Sequence, residues 1–331
     1  MAAQSILVTG GAGYIGSHVV LELLAAGRRP VVLDDLSAGV RAAVPDDAPF
    51  HEGSVLDEAL LGELFRRYRF EAVIHLAASV SVDESMTEPI KYYRNNALGT
   101  LTLAAAAVEA GVGHFIFSSS AAVYGVLESS PVREDAPKRP INPYGSSKLM
   151  GEEMLTDIAA ARPGFRPVAL RYFNVAGADP KGRAGERGAG VHLIRVAAET
   201  AVGARPAMNV YGADYPTRDG TAERDYVHVT DIAAAHVAAL RYLEGGGEPI
   251  ALNVGCGRGY TILEVLQALE KEIGRKLPVR MAPRRPGDPP SLVSDASRIR
   301  EVFEWRPNHG ELSEIISTAL AWQKTLTAEA A

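Results

Sequence analysis

Along the first half of the chain, short β-branched runs alternate with stretches whose apolar positions recur at helical spacing. The run "SILVTG" (residues 5–10) predicts a strand, residues 14–26 a helix closed by Gly27, and "PVVLD" (30–34) a second strand. A helix over 57–68, a strand over 72–77, a helix over 100–110 ending at Gly111 and a strand over 114–119 follow. A helix starting near Tyr144 and a strand over 166–173 complete the alternation. Strands interleaved with helices build βαβ units, so the expected fold class is α/β: a Rossmann-type doubly wound parallel sheet with helices on both faces.

After residue 173 the pattern changes. Residues 176–190, "AGADPKGRAGERGAG", are glycine-rich and charged and read as a long loop, a class that is often functional. Beyond it the elements are expected to be shorter, with "APRRPGDPP" (282–290) irregular. Residues 231–240 and 249–254 read as sheet-domain and boundary elements, so the chain is expected to cross back once. The predicted organisation is a sheet domain of residues 1–174 plus about 225–250. A smaller α/β domain of about 175–224 and 251–331 would lie over the sheet's carboxyl edge.

Composition narrows the function. The 331 residues are 47% hydrophobic and 22% charged, ordinary for a globular enzyme, and a net charge of −6 gives no case for nucleic acid or an acidic membrane as partner. Cys256 is the only cysteine, which excludes internal disulfides and fits a reducing compartment. The eight histidines lack metal-ligand spacing, so no metal is expected. The N-terminus does not read as a signal peptide, and the apolar run 101–108 is too short to span a bilayer. A cytoplasmic protein is expected.

Chemistry enters with the glycines. Gly10, Gly13 and Gly16 stand in a G-x-x-G-x-x-G spacing between the first predicted strand and the first helix. There the chain can turn tightly and approach a pyrophosphate, which the helix N-terminus would receive. Asp34 ends the second strand, where a carboxylate can accept both ribose hydroxyls of an adenosine and would repel a 2′-phosphate. Neither Asp35 nor Leu36 offers a cation, so the expected cofactor is NAD rather than NADP.

A second constellation lies at the end of the strand over 114–119, in "SSSAAVYG", where ligands of an open parallel sheet bind. A serine cluster there is by itself turn chemistry. Tyr144 and Lys148 change that, because four residues apart at a helix start they share one face. Lys148 is expected to lower the Tyr144 pKa toward neutrality and make it a usable base. Ser120 would bond the substrate oxygen whose proton Tyr144 takes.

The glycine loop, Ser120 and Tyr144-x-x-x-Lys148 together resemble the extended short-chain dehydrogenase/reductase family. More narrowly, "GGAGYIGSH", "YYRNNALGTL", "FIFSSSAAVYG", "PYGSSKLMGEEML", "LRYFNVAGA", "YGADYPTRDGTAERDYVHVTDIA", "LNVG" and "PRRPGD" resemble the UDP-glucose 4-epimerase family along nearly the whole chain. Residues 211–233 are the most diagnostic. The resemblance implies NAD-dependent inversion at C4 of a UDP-hexose, from UDP-galactose to UDP-glucose, through a transient 4-keto sugar. It also implies a homodimer, for which residues 100–110 and the Tyr144 helix are apolar enough to supply an interface.

The resemblance further implies site residues. For the cofactor these are Gly10, Gly13, Tyr14, Ile15 and Gly16, then Asp34, Asp35, Leu36, Ser37, Ala38 and Gly39 around the adenosine ribose. Ser54, Val55, Leu76, Ala77, Ala78, Ser79 and Val80 would line the adenine and pyrophosphate, and Asn95, Ser120, Tyr144, Lys148 and Phe173 the nicotinamide side. For the nucleotide sugar they are Ser120, Tyr144, Asn174, His192, Leu193, Asn209, Tyr211, Arg224, Arg285 and Asp288. Two arginines suit a diphosphate, and an acid suits ribose hydroxyls.

Four positions depart from the family's commonest pattern. Ser54 stands where many members have an adenine-binding aspartate, and Val80 where many have a cofactor-contacting lysine. His192 replaces an asparagine, and Leu292 falls where some members carry a bulky tyrosine, which bears on 2-N-acetyl sugars. Rival readings are a 4-epimerase of UDP-N-acetylhexosamines, UDP-uronates or UDP-pentoses, and a non-catalytic NAD-sensing or scaffold protein. A 4,6-dehydratase lacks its acid pair here, since Ala121 and Ala122 stand in its place. Asp34 speaks against an NADP-dependent reductase.

Overall fold

The computed structural model describes residues 4–127, 130–187, 192–285 and 288–329. The end of the expected glycine-rich loop (188–190) and residues 286–287 of the proline-rich stretch lie outside these.

Among the described residues the first strands are β1 (Ser5–Thr9), β2 (Pro30–Asp34), β3 (Phe50–Glu52), β4 (Phe70–His75), β5 (His114–Ser120) and β6 (Arg166–Tyr172). The second half adds β7 (Asn174–Ala176), β8 (Met208–Tyr211), β9 (Glu223–His228), β10 (Ile250–Val254), β11 (Gly259–Thr261), β12 (Val279–Ala282) and β13 (Ser291–Leu292). Seven of these make one parallel sheet in the order β10-β6-β5-β4-β1-β2-β3. The order reverses between β1 and β4, the crevice where ligands bind in doubly wound sheets.

Alternation along the strands builds the two faces. Ile6 and Val8 of β1 bury toward Val19, Val20 and Leu23 of the helix Tyr14–Ala25 and toward Ile232 and Leu240 of the helix Val229–Glu244. Leu7 between them buries on the opposite face, with Leu61 and Leu64 of Glu58–Arg67, Leu103 of Gly99–Glu109 and Leu155 of Pro143–Ala161. Both faces are covered, as the doubly wound class requires.

Local chemistry fixes the helix ends. Asp57 accepts the Leu60 N–H at 3.0 Å, and Asn142 accepts that of Gly145 at 2.8 Å with Pro143 at the first helical position. Gly27 and Gly111 take positive φ just past their helices.

The remaining strands form a small sheet of β11, β9 and β13 with β7 paired to β9, and a β8–β12 pair. Their core includes Ile194, Val210, Tyr226, Leu269 and Ile316.

Three expectations need correction. The boundaries near 225 and 250 do not follow the sheets. β9 belongs to the small sheet, whereas β10 is an edge strand of the large one, with Leu252 and Val254 buried under Ile299 and Trp305. The strand expected over 72–77 is Phe70–His75, because Leu76 and Ala77 leave the sheet to line the loop beyond it. The second half is not uniformly made of shorter elements either: its last helix, Leu312–Glu329, has 18 residues.

Candidate active site

The carboxyl ends of β1, β2, β4 and β5 converge on the crevice. After β1 the chain turns through Gly10 at φ 74, where a Cβ would lie 2.5 Å from the Ala77 nitrogen. A Cβ on Gly16 would fall 2.0 Å from the Gly10 carbonyl oxygen. Gly13 caps the helix Tyr14–Ala25 without a side-chain bond to its N–H groups, and no acid stands in the first turn. Bare backbone held tightly at a helix N-terminus fits a pyrophosphate.

Asp34 ends β2 and is buried. Its Oδ2 accepts the Ala12 N–H and its Oδ1 the Leu36 N–H, both at 2.9 Å, which ties the second loop to the glycine turn. Burial raises its pKa and these two bonds oppose that. Gly39 lies against Ala12, so close that a Cβ would fall 2.7 Å from the Ala12 carbonyl carbon. Asp35, Ser37 and Ala38 are exposed, with Ser37 bonded to the Asp35 carboxylate, and Leu36 is half-buried. Ile15 packs against the sheet core, Val55 is buried, and the Ser54 hydroxyl accepts from Leu56 N–H. The glycine cradle and the acid at the end of β2 suit a dinucleotide.

Leu76 to Val80 run along this crevice, with the Leu76 N–H donating to Thr9 O. Ala78 and Ser79 are half-buried and Val80 is exposed. Asn95 donates to the Ser79 hydroxyl at 3.1 Å. Its neighbour Asn96 was not anticipated. It is buried, takes the Ser79 N–H at 2.8 Å, and donates to Ser79 O and to Ser147 on the Tyr144 helix, each at 3.0 Å. The available signal was an amide inside an otherwise helical pattern.

The serine, tyrosine and lysine meet where expected. Tyr144 lies within reach of Ser120 at the tip of β5. Lys148 donates to Ser118 O at 2.7 Å and lies over the Phe117 ring at 5.1 Å. The expected electrostatics differ, however. Burial pushes the Tyr144 phenol up, opposed by its Ser120 bond, and burial brings the Lys148 ammonium down to about 7. One Lys148 N–H goes to the Ser118 carbonyl, and the direction at Tyr144 is upward rather than toward neutrality. Phe173 is buried beside Val123 and Tyr124.

Facing this crevice from the second half, Arg224 on β9 is ion-paired with Asp288. Arg285 stacks on the Tyr211 ring at 4.0 Å, and Asn209 donates to the Tyr211 hydroxyl at 3.2 Å. The Asp83 charge, on the helix Val82–Thr87 after the β4 loop, reaches Tyr211. Leu292 on β13 pairs in register with Arg224. Asn174 opens β7. His192 lies against the glycine-loop helix, with Leu193 next to it. The His192 ring is 6.4 Å from Tyr14, its Nδ1 is 2.8 Å from Glu186, and Leu193 starts the helix Leu193–Val202. Tyr14 itself donates to Gly177 O at 2.7 Å. Within the predicted nucleotide-sugar set, Arg224 pairs with Asp288, Arg285 and Asn209 meet Tyr211, and His192 meets Tyr14 and Glu186. Among the described residues no cluster of His, Cys, Asp and Glu could hold a metal, and no helix is long and apolar enough to cross a membrane.

Comparison with known proteins agrees with this geometry. Residues 6–255 match the NAD dependent epimerase/dehydratase family. A UDP-glucose 4-epimerase of Azospirillum brasilense is 52% identical over 98% of this chain and 93% of its own length. The crystal structure of a UDP-glucose 4-epimerase from Stenotrophomonas maltophila, with bound NAD and formylated UDP-arabinopyranose, superposes with a TM-score of 0.95. It is 38% identical and covers 98% of this chain and 99% of its own. A UDP-Glc/GlcNAc 4-epimerase from Campylobacter jejuni reaches a TM-score of 0.86 at 45% identity, covering 98% and 100%.

Proposed function

The chain belongs to the NAD dependent epimerase/dehydratase family, and from that premise we propose that it is an NAD-dependent 4-epimerase of UDP-hexoses, converting UDP-galactose to UDP-glucose. The observation that carries the proposal is that Ser120, Tyr144 and Lys148 come together at the tip of β5, Lys148 on the Ser118 carbonyl and Tyr144 within reach of Ser120, at the same sheet edge as the glycine cradle.

Gly10, Gly13 and Gly16 would hold the cofactor's pyrophosphate and Asp34 its adenosine ribose. When bound, NAD supplies the hydride acceptor and donor. Ser120 holds the C4 oxygen, and Tyr144 removes the C4 hydroxyl proton and later returns it. Lys148 orients the strand end through Ser118 and supplies positive charge as the phenolate forms. Between the two proton transfers the 4-keto sugar turns about its diphosphate linkage, so the nucleotide must stay anchored while the sugar moves. Arg224 and Arg285 suit that anchor for the diphosphate, and Asp288 for ribose hydroxyls. We assign cofactor binding to the large-sheet part of the chain and nucleotide-sugar binding to the elements around β7–β9 and β11–β13.

A second reading, UDP-N-acetylhexosamine, rests on Leu292, which pairs in register with Arg224 and is smaller than the tyrosine that some family members carry there. The quaternary form in this proposal is a cytoplasmic homodimer. A single cysteine, with no partner for a disulfide, suits a reducing compartment. Exposed Ile90, Leu98, Leu101 and Met150 suit a second copy.

The test gives the purified protein UDP-galactose, UDP-N-acetylgalactosamine and UDP-glucuronate and follows C4 inversion by NMR. Inversion of UDP-galactose supports the proposal. Inversion of the uronate alone would keep the reaction and replace the substrate, and no inversion even with added NAD would end the epimerase reading.

A further inference from the structure

Eight residues beyond Tyr144 and four beyond Lys148, the helix Pro143–Ala161 carries a buried carboxylate, Glu152. The spacing puts all three on one helix face. The helix lies tightly on β5: a Cβ on Gly151 would fall 2.6 Å from Phe117 Cζ. At this contact Ser119 Oγ donates to Glu152 Oε1 at 2.5 Å. Arg171 donates its Nε to the same oxygen at 2.9 Å and its Nη2 to Oε2 at 2.6 Å. Ser119 and Arg171 are opposite each other in the β5–β6 register, so one carboxylate receives both side chains of a single cross-strand pair.

Ser119 sits between the two contacts on which the chemistry depends. The carbonyl of Ser118 receives Lys148, and the hydroxyl of Ser120 meets Tyr144. We propose that Glu152 is a positioning residue, holding the tip of β5 against the catalytic helix so that Ser118 and Ser120 meet Lys148 and Tyr144 in register. The inference rests on the reading of Ser120, Tyr144 and Lys148 as the reacting group. Arg171 neutralises the carboxylate and fixes its rotamer, and the serine carries the constraint to the strand. Misplacing a reacting group by about 1 Å costs on the order of a hundredfold in rate, so a link one residue from both contacts acts on kcat.

The experiment compares Ser119→Ala, Glu152→Gln and Glu152→Ala in the full, NAD-loaded protein, each at a temperature where near-UV circular dichroism shows it folded. Ser119→Ala keeps the Arg171 pair and removes only the link to the strand. It should lower kcat about tenfold or more, with KM within about twofold. Glu152→Gln keeps an oxygen for the Ser119 hydroxyl and should recover much of the kcat that Glu152→Ala loses. A sugar-free readout accompanies the kinetics: phenolate absorbance titrated in each protein minus its Tyr144→Phe counterpart reports Tyr144 ionisation alone. It should shift in Ser119→Ala.

If Ser119→Ala matches the parent in both kcat and titration, changing only its melting temperature, Glu152 and Ser119 are merely structural and the inference is overturned. If the parent inverts no UDP-sugar yet its Tyr144 titration depends on Ser119, the positioning role stands and only the substrate assignment falls.

Discussion

Arg224 and Asp288 are ion-paired across the join between β9 and the segment leading to β13. Two residues expected to hold the diphosphate and a ribose of one nucleotide therefore also hold each other. Arg224 also donates to Glu223 O at 2.7 Å, which holds the guanidinium at the edge of the crevice.

The first prediction concerns that pair. A charge-assisted hydrogen bond to phosphate is worth about 1.5–3 kcal/mol, so Arg224→Met should weaken UDP binding roughly 10- to 100-fold. Asp288→Asn should weaken it less, because an amide can still accept from a ribose hydroxyl. Calorimetric titration of UDP into each variant checks this. Unchanged affinity in Arg224→Met would remove the residue from the anchor.

Tyr144→Phe separates binding from chemistry. Tyr144 is half-buried and its phenol meets Ser120, while the glycine cradle and Asp34 do not depend on its hydroxyl. NAD affinity should stay within a few-fold, and turnover should fall by about 10²–10⁴, the range for losing a positioned acid/base. Near-normal turnover would take Tyr144 out of the mechanism.

Acid should destabilise the fold through buried histidines. Burial brings His18 and His236 down to about 4, and His75 and His228 to about 3. Each stays neutral in the fold while the unfolded chain takes up a proton near pH 6.5, so the unfolded state binds more protons below that pH. Their stabilising contribution is complete above about pH 6.5 and shrinks as pH falls toward 4. Burial raises Asp34, Asp225 and Asp231, an effect of opposite sign on acidification. His75 bridges Thr9 at 2.7 Å and Thr100 at 3.0 Å, bonds that a glutamine can replace. Urea unfolding of His75→Gln between pH 6 and 4 should therefore show a stability slope shallower by about 1.4 kcal/mol per pH unit. Parallel slopes in the two proteins would contradict a neutral buried His75.

What the sequence disclosed follows from how local each feature is. The strand Pro30–Asp34 was legible to the residue, because a continuous apolar run ends at an acid. The glycine loop and the Tyr144–Lys148 pair were legible because their geometry is written within one turn or one helix. β4 was misplaced by two residues, since Leu76 and Ala77 still pack against the sheet's cores after the strand has ended. Asn96 and Glu152 were missed because their partners reach them only in the fold, Ser79 from the loop after β4 and Ser119 with Arg171 through the β5–β6 register. The expected depression of the Tyr144 pKa is reversed for a similar reason: spacing places Lys148 on the same helix face but does not reveal that burial raises the phenol or that a Lys148 N–H is directed at Ser118 O. The boundary at 250 failed because β10 joins the far edge of a sheet whose other members precede it by at least 78 residues.

The homodimer gives the last prediction. Ile90 is 80% exposed, Leu98 48%, Leu101 41% and Met150 43%. They lie on the run from Pro89–Tyr92 into Gly99–Glu109 and on the adjoining helix Pro143–Ala161. Large apolar side chains on neighbouring helices are costly in water, and a two-fold axis through this face would cover both copies with the same residues. The double variant Ile90→Glu with Leu101→Arg places charge in that contact without touching the glycine loop or Ser120. Light scattering at micromolar concentration should give a dimer mass for the parent and a monomer mass for the variant, with NAD still bound. A dimeric variant would move the interface elsewhere, and a monomeric parent would end the homodimer proposal. Because Pro143–Ala161 carries Met150 two residues from Lys148, the dissociated variant should also turn over more slowly, by a factor set by how far the helix relaxes once its outer face is exposed.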